Sequence, residues 1–129
     1  REAFGKVFEP LFASGCFYVY EVDGMVMGFY KVQRHLGRTA HVAYLGTLAV
    51  APEAQGRGTA VEMMQDAISR LWRAGITRIE LTVEADNPRA IAFYERLGFV
   101  HEGTQRAAYK RASDSDYVDE LMYGLLRND

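Results

Sequence analysis

The sequence predicts an α/β fold: a central mixed sheet with a parallel strand pair, flanked by helices. Three observations predict it. Residues 40–50 are nearly continuous in apolar character, the pattern of a strand buried on both faces. Ala60, Met63, Met64, Ala67, Ile68 and Leu71 form one apolar stripe at helical spacing over residues 57–74. Ile76 to Glu84 then alternates, with Thr77, Ile79, Leu81 and Val83 against Arg78, Glu80, Thr82 and Glu84, the pattern of a strand with one dry face. A strand, a helix and a strand in that order make a right-handed crossover with parallel strands over residues 40–84.

The remaining elements follow in order. Phe4, Val7, Phe8, Leu11 and Phe12 lie three and four apart, which predicts a helix over residues 1–14 interrupted at Pro10. Residues 16–22 and 26–33 read as strands, and Asp23-Gly24 between them is a hairpin turn signal. Residues 34–38 are a polar turn containing Gly37. Gly75 fits the C-terminal cap of the long helix. Asn87 is a helix cap with Pro88 at the first helical position, and Gly98 stops that second helix. Phe99 to Tyr109 and Ser115 to Leu126 read as a closing strand pair around a polar loop. The predicted order is β-β-β-α-β-α-β-β.

Composition narrows the function. A chain of 129 residues is enough for one domain spanning residues 1–129. Its formal charge of −2 lacks the basic footprint of a nucleic-acid binder. The single cysteine, Cys16, forms no internal disulfide, which favours a reducing, cytoplasmic setting. There is no run of 18 apolar residues and no signal-peptide pattern, so no membrane partner is expected. Three histidines and one cysteine show no ligand spacing, so no metal is expected. The chain opens at Arg1 without a methionine, and we expect it to be trimmed from a longer protein.

The most informative stretch is Val50-Ala51-Pro52-Glu53-Ala54-Gln55-Gly56-Arg57-Gly58-Thr59. It joins a strand to a helix N-terminus, where unpartnered N–H groups and the helix dipole favour an anion. Gly56 and Gly58 let phosphate oxygens approach the backbone, and Arg57 adds positive charge. Two familiar phosphate loops fail here. The P-loop requires a lysine after its last glycine, and Thr59 stands there; the dinucleotide fingerprint requires a third glycine where Val61 stands.

What remains, Val-x-Pro-x-x-Gln-Gly-x-Gly, resembles the acetyl-CoA loop of the GNAT superfamily of N-acetyltransferases. A second segment, Asn87-Pro88-Arg89-Ala90-Ile91-Ala92-Phe93-Tyr94-Glu95-Arg96-Leu97-Gly98-Phe99, is similar to that family's later signature, in the family's order and at about its spacing. The likeness runs from about residue 17 to 126. It implies that the helical opening of the family is mostly missing here. It also implies that the parallel pair splays apart at its C-terminal ends to admit the pantetheine arm.

By the same resemblance, acetyl-CoA is the co-substrate and a primary amine the acceptor, either a small molecule or a protein N-terminus. Gln55, Gly56, Arg57, Gly58, Thr59 and Ala60 are implied for the pyrophosphate. Leu48, Ala49 and Val50 are implied for backbone contacts to pantetheine, and Asn87 for the cofactor arm, a role compatible with capping. Tyr94 corresponds to the tyrosine near the CoA sulfur, as general acid or hydrogen-bond donor. On spacing alone it also fits a packing residue beside Phe93 and Leu97.

Acetyl transfer needs a neutral amine, and a lysine-like amine is neutral in only about one molecule in 2,500 at pH 7. The family often places a carboxylate on the strand before the loop, but His41-Val42-Ala43-Tyr44-Leu45-Gly46-Thr47 has none. Glu84 and His41 are the candidate bases, with a water relay as the third option. Glu102, Asp114, Asp116, Asp119 and Glu120 fit either cation steering or a solvated edge. The aromatics at 17, 18, 20, 29 and 30 fit either an acceptor pocket or the core. A homodimer, a non-catalytic CoA-binding module and a domain without any cofactor remain open alternatives.

Overall fold

The structure is a computed structural model and describes residues 3–8, 16–52, 55–56 and 58–129. It contains two compact units, Arg1–Ile79 and Glu80–Asp129. The class is the mixed α/β architecture that the sequence predicts, with seven strands and two longer helices among the described residues.

In the first unit, β1 (Ala3–Phe8), β2 (Cys16–Val22), β3 (Met25–Arg34) and β4 (Val42–Val50) lie side by side in that order, each antiparallel to the next. The β2–β3 turn is the Asp23-Gly24 pair, with φ of 52° and 79°, the two positive values that a tight primed hairpin requires. A short 3-10 turn at Gly37–Thr39 leads into β4.

The helix expected over residues 1–14 does not form at Ala3–Phe8. These residues are strand β1, paired with β2 from Ala3 opposite Val22 to Phe8 opposite Phe17. The helical spacing depended on Leu11 and Phe12, which lie outside the described residues together with Pro10. A proline there bars one continuous helix, and the short segment before it is below the length at which a helix holds by itself. Pairing with β2 satisfies its backbone instead. The order therefore gains a strand at the start, β-β-β-β-α-β-α-β-β, and the strand over 42–50 is the fourth.

Helix α1 (Thr59–Arg73) buries Met63, Met64, Ala67 and Leu71 of the predicted stripe, with Ala60 and Ile68 half-buried at its margin. It ends in a Schellman closure: Ile76 N–H donates to Leu71 O at 3.0 Å and Gly75 N–H to Trp72 O at 3.1 Å. β5 (Arg78–Glu84) then starts beside β4, because Thr77 and Arg78 N–H both donate to His41 O, at 3.0 and 3.2 Å. The core of this unit gathers Val19, Tyr20, Tyr30, Val32, Val42, Leu45 and the α1 stripe.

Gly28, opposite Val50, is where β3 comes closest to β4 and α1. A Cβ there would stand 2.6 Å from Ala49 O and 2.9 Å from Met63 Sδ. The sulfur belongs to a flexible side chain and yields; the backbone oxygen does not. Gly28→Ala is therefore expected to destabilise the chain by about 2 kcal/mol through overpacking, read as a lower urea midpoint at unchanged slope.

In the second unit the strand order is β5-β7-β6, with β6 (Val100–Tyr109) and β7 (Val118–Leu126) antiparallel. Helix α2 (Pro88–Arg96) stands between β5 and β6 in the chain and closes as α1 does, with Phe99 N–H donating to Tyr94 O at 3.1 Å. Leu81, Val83, Phe99, Tyr123 and Leu125 are its buried apolar residues.

Candidate functional site

In the first unit the candidate site is built where β4 ends. Lys31 faces Gly46 and Phe29 faces Ala49, so β4 spends one residue more than β3 over this stretch. Such a bulge twists the strand and interrupts the ladder at Leu48, while Ala49 and Val50 stay paired with Phe29 and Gly28. All three are half-buried. Ala51 N–H donates to Met27 O at 2.8 Å and carries the pairing one step past the strand.

The turn that follows is closed by its own glutamine. Gln55 N–H donates to Pro52 O, and its side-chain Nε2 donates to Val50 O, both at 3.3 Å. Gly56 and Gly58 have φ of 78° and 76°, a region that side chains with a Cβ rarely adopt. A Cβ built on either meets no atom of the described residues within 4 Å, so on that side the space over the turn is open. Gly58 O accepts the first helical bond from Glu62 N–H at 3.1 Å, and Gly58, the N-cap of α1, has no side chain with which to cap it. An open concave turn and an uncapped helix N-terminus together fit a phosphate group. Thr59 is buried, Ala60 is half-buried, and Arg57 lies outside the described residues.

In the second unit Asn87 caps α2 through Oδ1, which accepts from Ala90 N–H at 3.1 Å, with Pro88 at the first helical position. The cap uses the side-chain oxygen and not the amide nitrogen. Asn87→Ala is expected to cost about 1 kcal/mol of stability, measured by thermal unfolding. Two turns on, Tyr94 is half-buried. Its ring meets Phe93 edge-on at 5.1 Å and Phe99 at 5.9 Å. These contacts hold the ring by its edges and face.

Glu84 ends β5 and sits in a network that the sequence did not reveal. Its Oε2 accepts from Tyr109 OH at 2.9 Å and from Arg111 Nη1 at 3.3 Å. Arg111 also pairs with Asp86 and, at 2.8 Å, with Asp114, so one guanidinium ties the β6–β7 loop to the segment preceding α2. Partial burial and the bond to Glu84 push the Tyr109 phenol up to about 12. Arg111 holds the Asp114 carboxyl below the usual carboxylate range. That pair therefore stabilises the fold above the ordinary aspartate pKa, and its contribution is lost as pH falls through the lower folded value. Spacing gave no sign of this network, because its members lie 25 and 27 residues apart.

The other candidates are dispersed. His41 is exposed at the start of β4, nine residues of strand away from the turn, roughly 30 Å along an extended chain. The structure does not bring it to the turn. Asp119 accepts from Ala107 N–H at 2.8 Å and Asp116 from Tyr117 N–H at 2.7 Å, so these acids brace the loop and strand they belong to. Among the aromatics, Tyr20 and Tyr30 are core residues, with Tyr30 stacked on Tyr18 at 5.3 Å; Phe17 and Phe29 meet at 6.3 Å. No group of three His, Cys, Asp or Glu among the described residues is arranged to hold a metal. Among the described residues no helix is long and apolar enough to cross a membrane.

The chain is 36% identical over 95 residues to a mycothiol acetyltransferase of Streptomyces coelicolor, covering 73% of this chain and 30% of the relative. A mycothiol acetyltransferase of Renibacterium salmoninarum is 29% identical over 107 residues, 81% of this chain and 32% of the relative. The chain thus spans under a third of the length of these curated relatives. Among solved structures, the ribosomal-protein-S18-alanine N-acetyltransferase of Escherichia coli superposes with a TM-score of 0.75 at 26% identity, covering 89% of this chain and 70% of that one. A Bacillus anthracis structure in complex with acetyl coenzyme A has a TM-score of 0.73 at 19% identity, covering 90% and 64%, a likeness of fold alone. The sequence profile of the acetyltransferase (GNAT) family matches residues 2–99, both signature segments included, and the chain belongs to that family.

Proposed function

We propose that residues 1–129 work as one N-acetyltransferase domain that moves an acetyl group from acetyl-CoA to a primary amine, by direct attack in a ternary complex. The observation that supports this most is the pair of positive-φ glycines, Gly56 and Gly58, leading into α1 within the stretch that the family profile matches. Bound acetyl-CoA would supply an activated thioester. Gln55, Gly56, Arg57, Gly58, Thr59 and Ala60 would hold the pyrophosphate. The backbone of Leu48, Ala49 and Val50 would hold the pantetheine, with Asn87 on the same arm. Tyr94 would donate a hydrogen bond to the sulfur as the thiolate leaves.

Gln55 has a second part in this reading. With its side chain donating to Val50 O, it braces the turn and leaves phosphate contact to backbone N–H groups. Proton removal from the amine falls to water. Glu84 already accepts from Tyr109 and Arg111, and His41 stands at the far end of β4. Without a dedicated base, acceptors of low pKa are favoured: an α-amino group near 8 is neutral about 200-fold more often at pH 7 than a lysine-like amine near 10.4. Free-thiol release from acetyl-CoA against polyamines, amino acids, aminoglycosides and N-terminal peptides tests the proposal. Turnover well above hydrolysis establishes transfer and names the acceptor class.

One observation favours a second reading. Glu84 is engaged by Tyr109 and Arg111 and His41 stands at the far end of β4 from the turn, as suits a module that binds CoA without using it. Silence across the panel, with CoA binding seen by calorimetry, would support that module instead.

A further inference from the structure

Helix α2 has nine residues and none of them is buried. Ala90, Ile91, Phe93 and Tyr94 are half-buried, so the helix packs through partly covered side chains and specific contacts help to set its rotation. The structure shows such a contact from β7. Tyr123 is 2% exposed, and its hydroxyl donates to Glu95 Oε2 at 2.8 Å. Glu95 follows Tyr94 directly. The Tyr123 ring is itself held, tilted against His101 at 5.3 Å, and the His101 ring is anchored to Gly103 O at 2.8 Å. One turn further on, a Cβ on Gly98 would lie 3.5 Å from Leu125, the next residue of β7 on the same face as Tyr123. The helix is tied to β7 near its C-terminal end, next to Tyr94.

From this geometry we infer that Tyr123 and Glu95 are positioning residues: their hydrogen bond fixes the rotation of α2 and so aims the Tyr94 hydroxyl. The inference rests on the proposed role of Tyr94. Burial and the bond to Glu95 push the Tyr123 phenol up to about 12, so the donor stays protonated across the range in which the enzyme would work. A helix end fixed at one exposed carboxylate is easily loosened, and a small rotation is enough to misplace a donor that must lie within about 3 Å of its target.

The test uses Tyr123→Phe, which keeps the ring and removes only the hydroxyl, with Glu95→Gln, which keeps an acceptor, and Glu95→Ala, which does not. With the amine of highest turnover, or basal acetyl-CoA hydrolysis if no amine responds, Tyr123→Phe and Glu95→Ala are each expected to lower kcat about 5- to 10-fold. KM for acetyl-CoA should change less than twofold, Glu95→Gln should retain most activity, and the double variant should lose no more than either single one. In a Tyr94→Phe background the same changes should cost less than twofold. Equal losses in both backgrounds, or a change in KM alone, would overturn the inference. If Tyr94→Phe itself loses no turnover, the role of Tyr94 fails separately. The ring-carbon NMR signal of Tyr94 in the CoA-saturated protein then decides whether the tether acts: a shift on Tyr123→Phe upholds it, and an unmoved signal removes it.

Discussion

Gly58→Glu is expected to abolish coenzyme A binding in calorimetry while the chain remains folded. Two effects add. Gly58 has φ of 76°, and a residue with a Cβ in that region costs about 1–2 kcal/mol. That cost falls on the turn, since a Cβ there meets no atom of the described residues within 4 Å. The larger effect is electrostatic. A carboxylate rising into the open space would stand about 5 Å from a bound phosphate, and at an effective dielectric near 20 each unit of negative charge there costs roughly 3 kcal/mol. That is more than a hundredfold in affinity before any steric conflict is counted. Gly58→Asn separates the two effects, because asparagine tolerates the left-handed region and carries no charge. It should fold as well and bind CoA only several-fold more weakly. Undiminished affinity in folded Gly58→Glu would remove the pyrophosphate from this turn.

The fold was largely legible because its central elements carry local signals that tertiary packing reinforces. The α1 stripe, the alternation of Ile79, Leu81 and Val83, and the Asn87-Pro88 cap each agree with what the structure buries or bonds. The first strand was not legible for the opposite reason. Ala3–Phe8 carries too few residues to distinguish a helical period from an extended one, and only pairing with β2 decides it. The turn after β4 was readable because its backbone takes positive φ at Gly56 and Gly58, where glycine is favoured. The surroundings of Glu84 were not. Tyr109 and Arg111 reach it across the whole of α2 and β6, a distance over which spacing carries no information. A charged residue at a strand end looks the same in sequence whether it is solvated, catalytic or, as here, engaged by an arginine. The same holds for Tyr123, whose alternating pattern shows that it is buried but not that its hydroxyl reaches α2.

Tyr94→Phe is expected to lower kcat about 30- to 100-fold and to leave KM for acetyl-CoA within about twofold. The ring contacts to Phe93 and Phe99 do not involve the hydroxyl, so the packing of α2 should persist. What is lost is one donor to a charge that exists only as the C–S bond breaks, and a hydrogen bond to a charged group contributes about 2–3 kcal/mol. An interaction made only in the transition state appears in kcat and not in binding. Complete proton transfer is not required. A free phenol near 10 is a weaker acid than a thiol near 8.5, and giving up its proton is uphill by about 2 kcal/mol. The size of the loss therefore discriminates. A fall within this range fits hydrogen-bond donation. A loss of several thousandfold would mean that the tyrosine delivers its proton outright. Unchanged turnover in a variant that still binds CoA would shift the chain towards the non-catalytic module, or towards an acid elsewhere in the second unit.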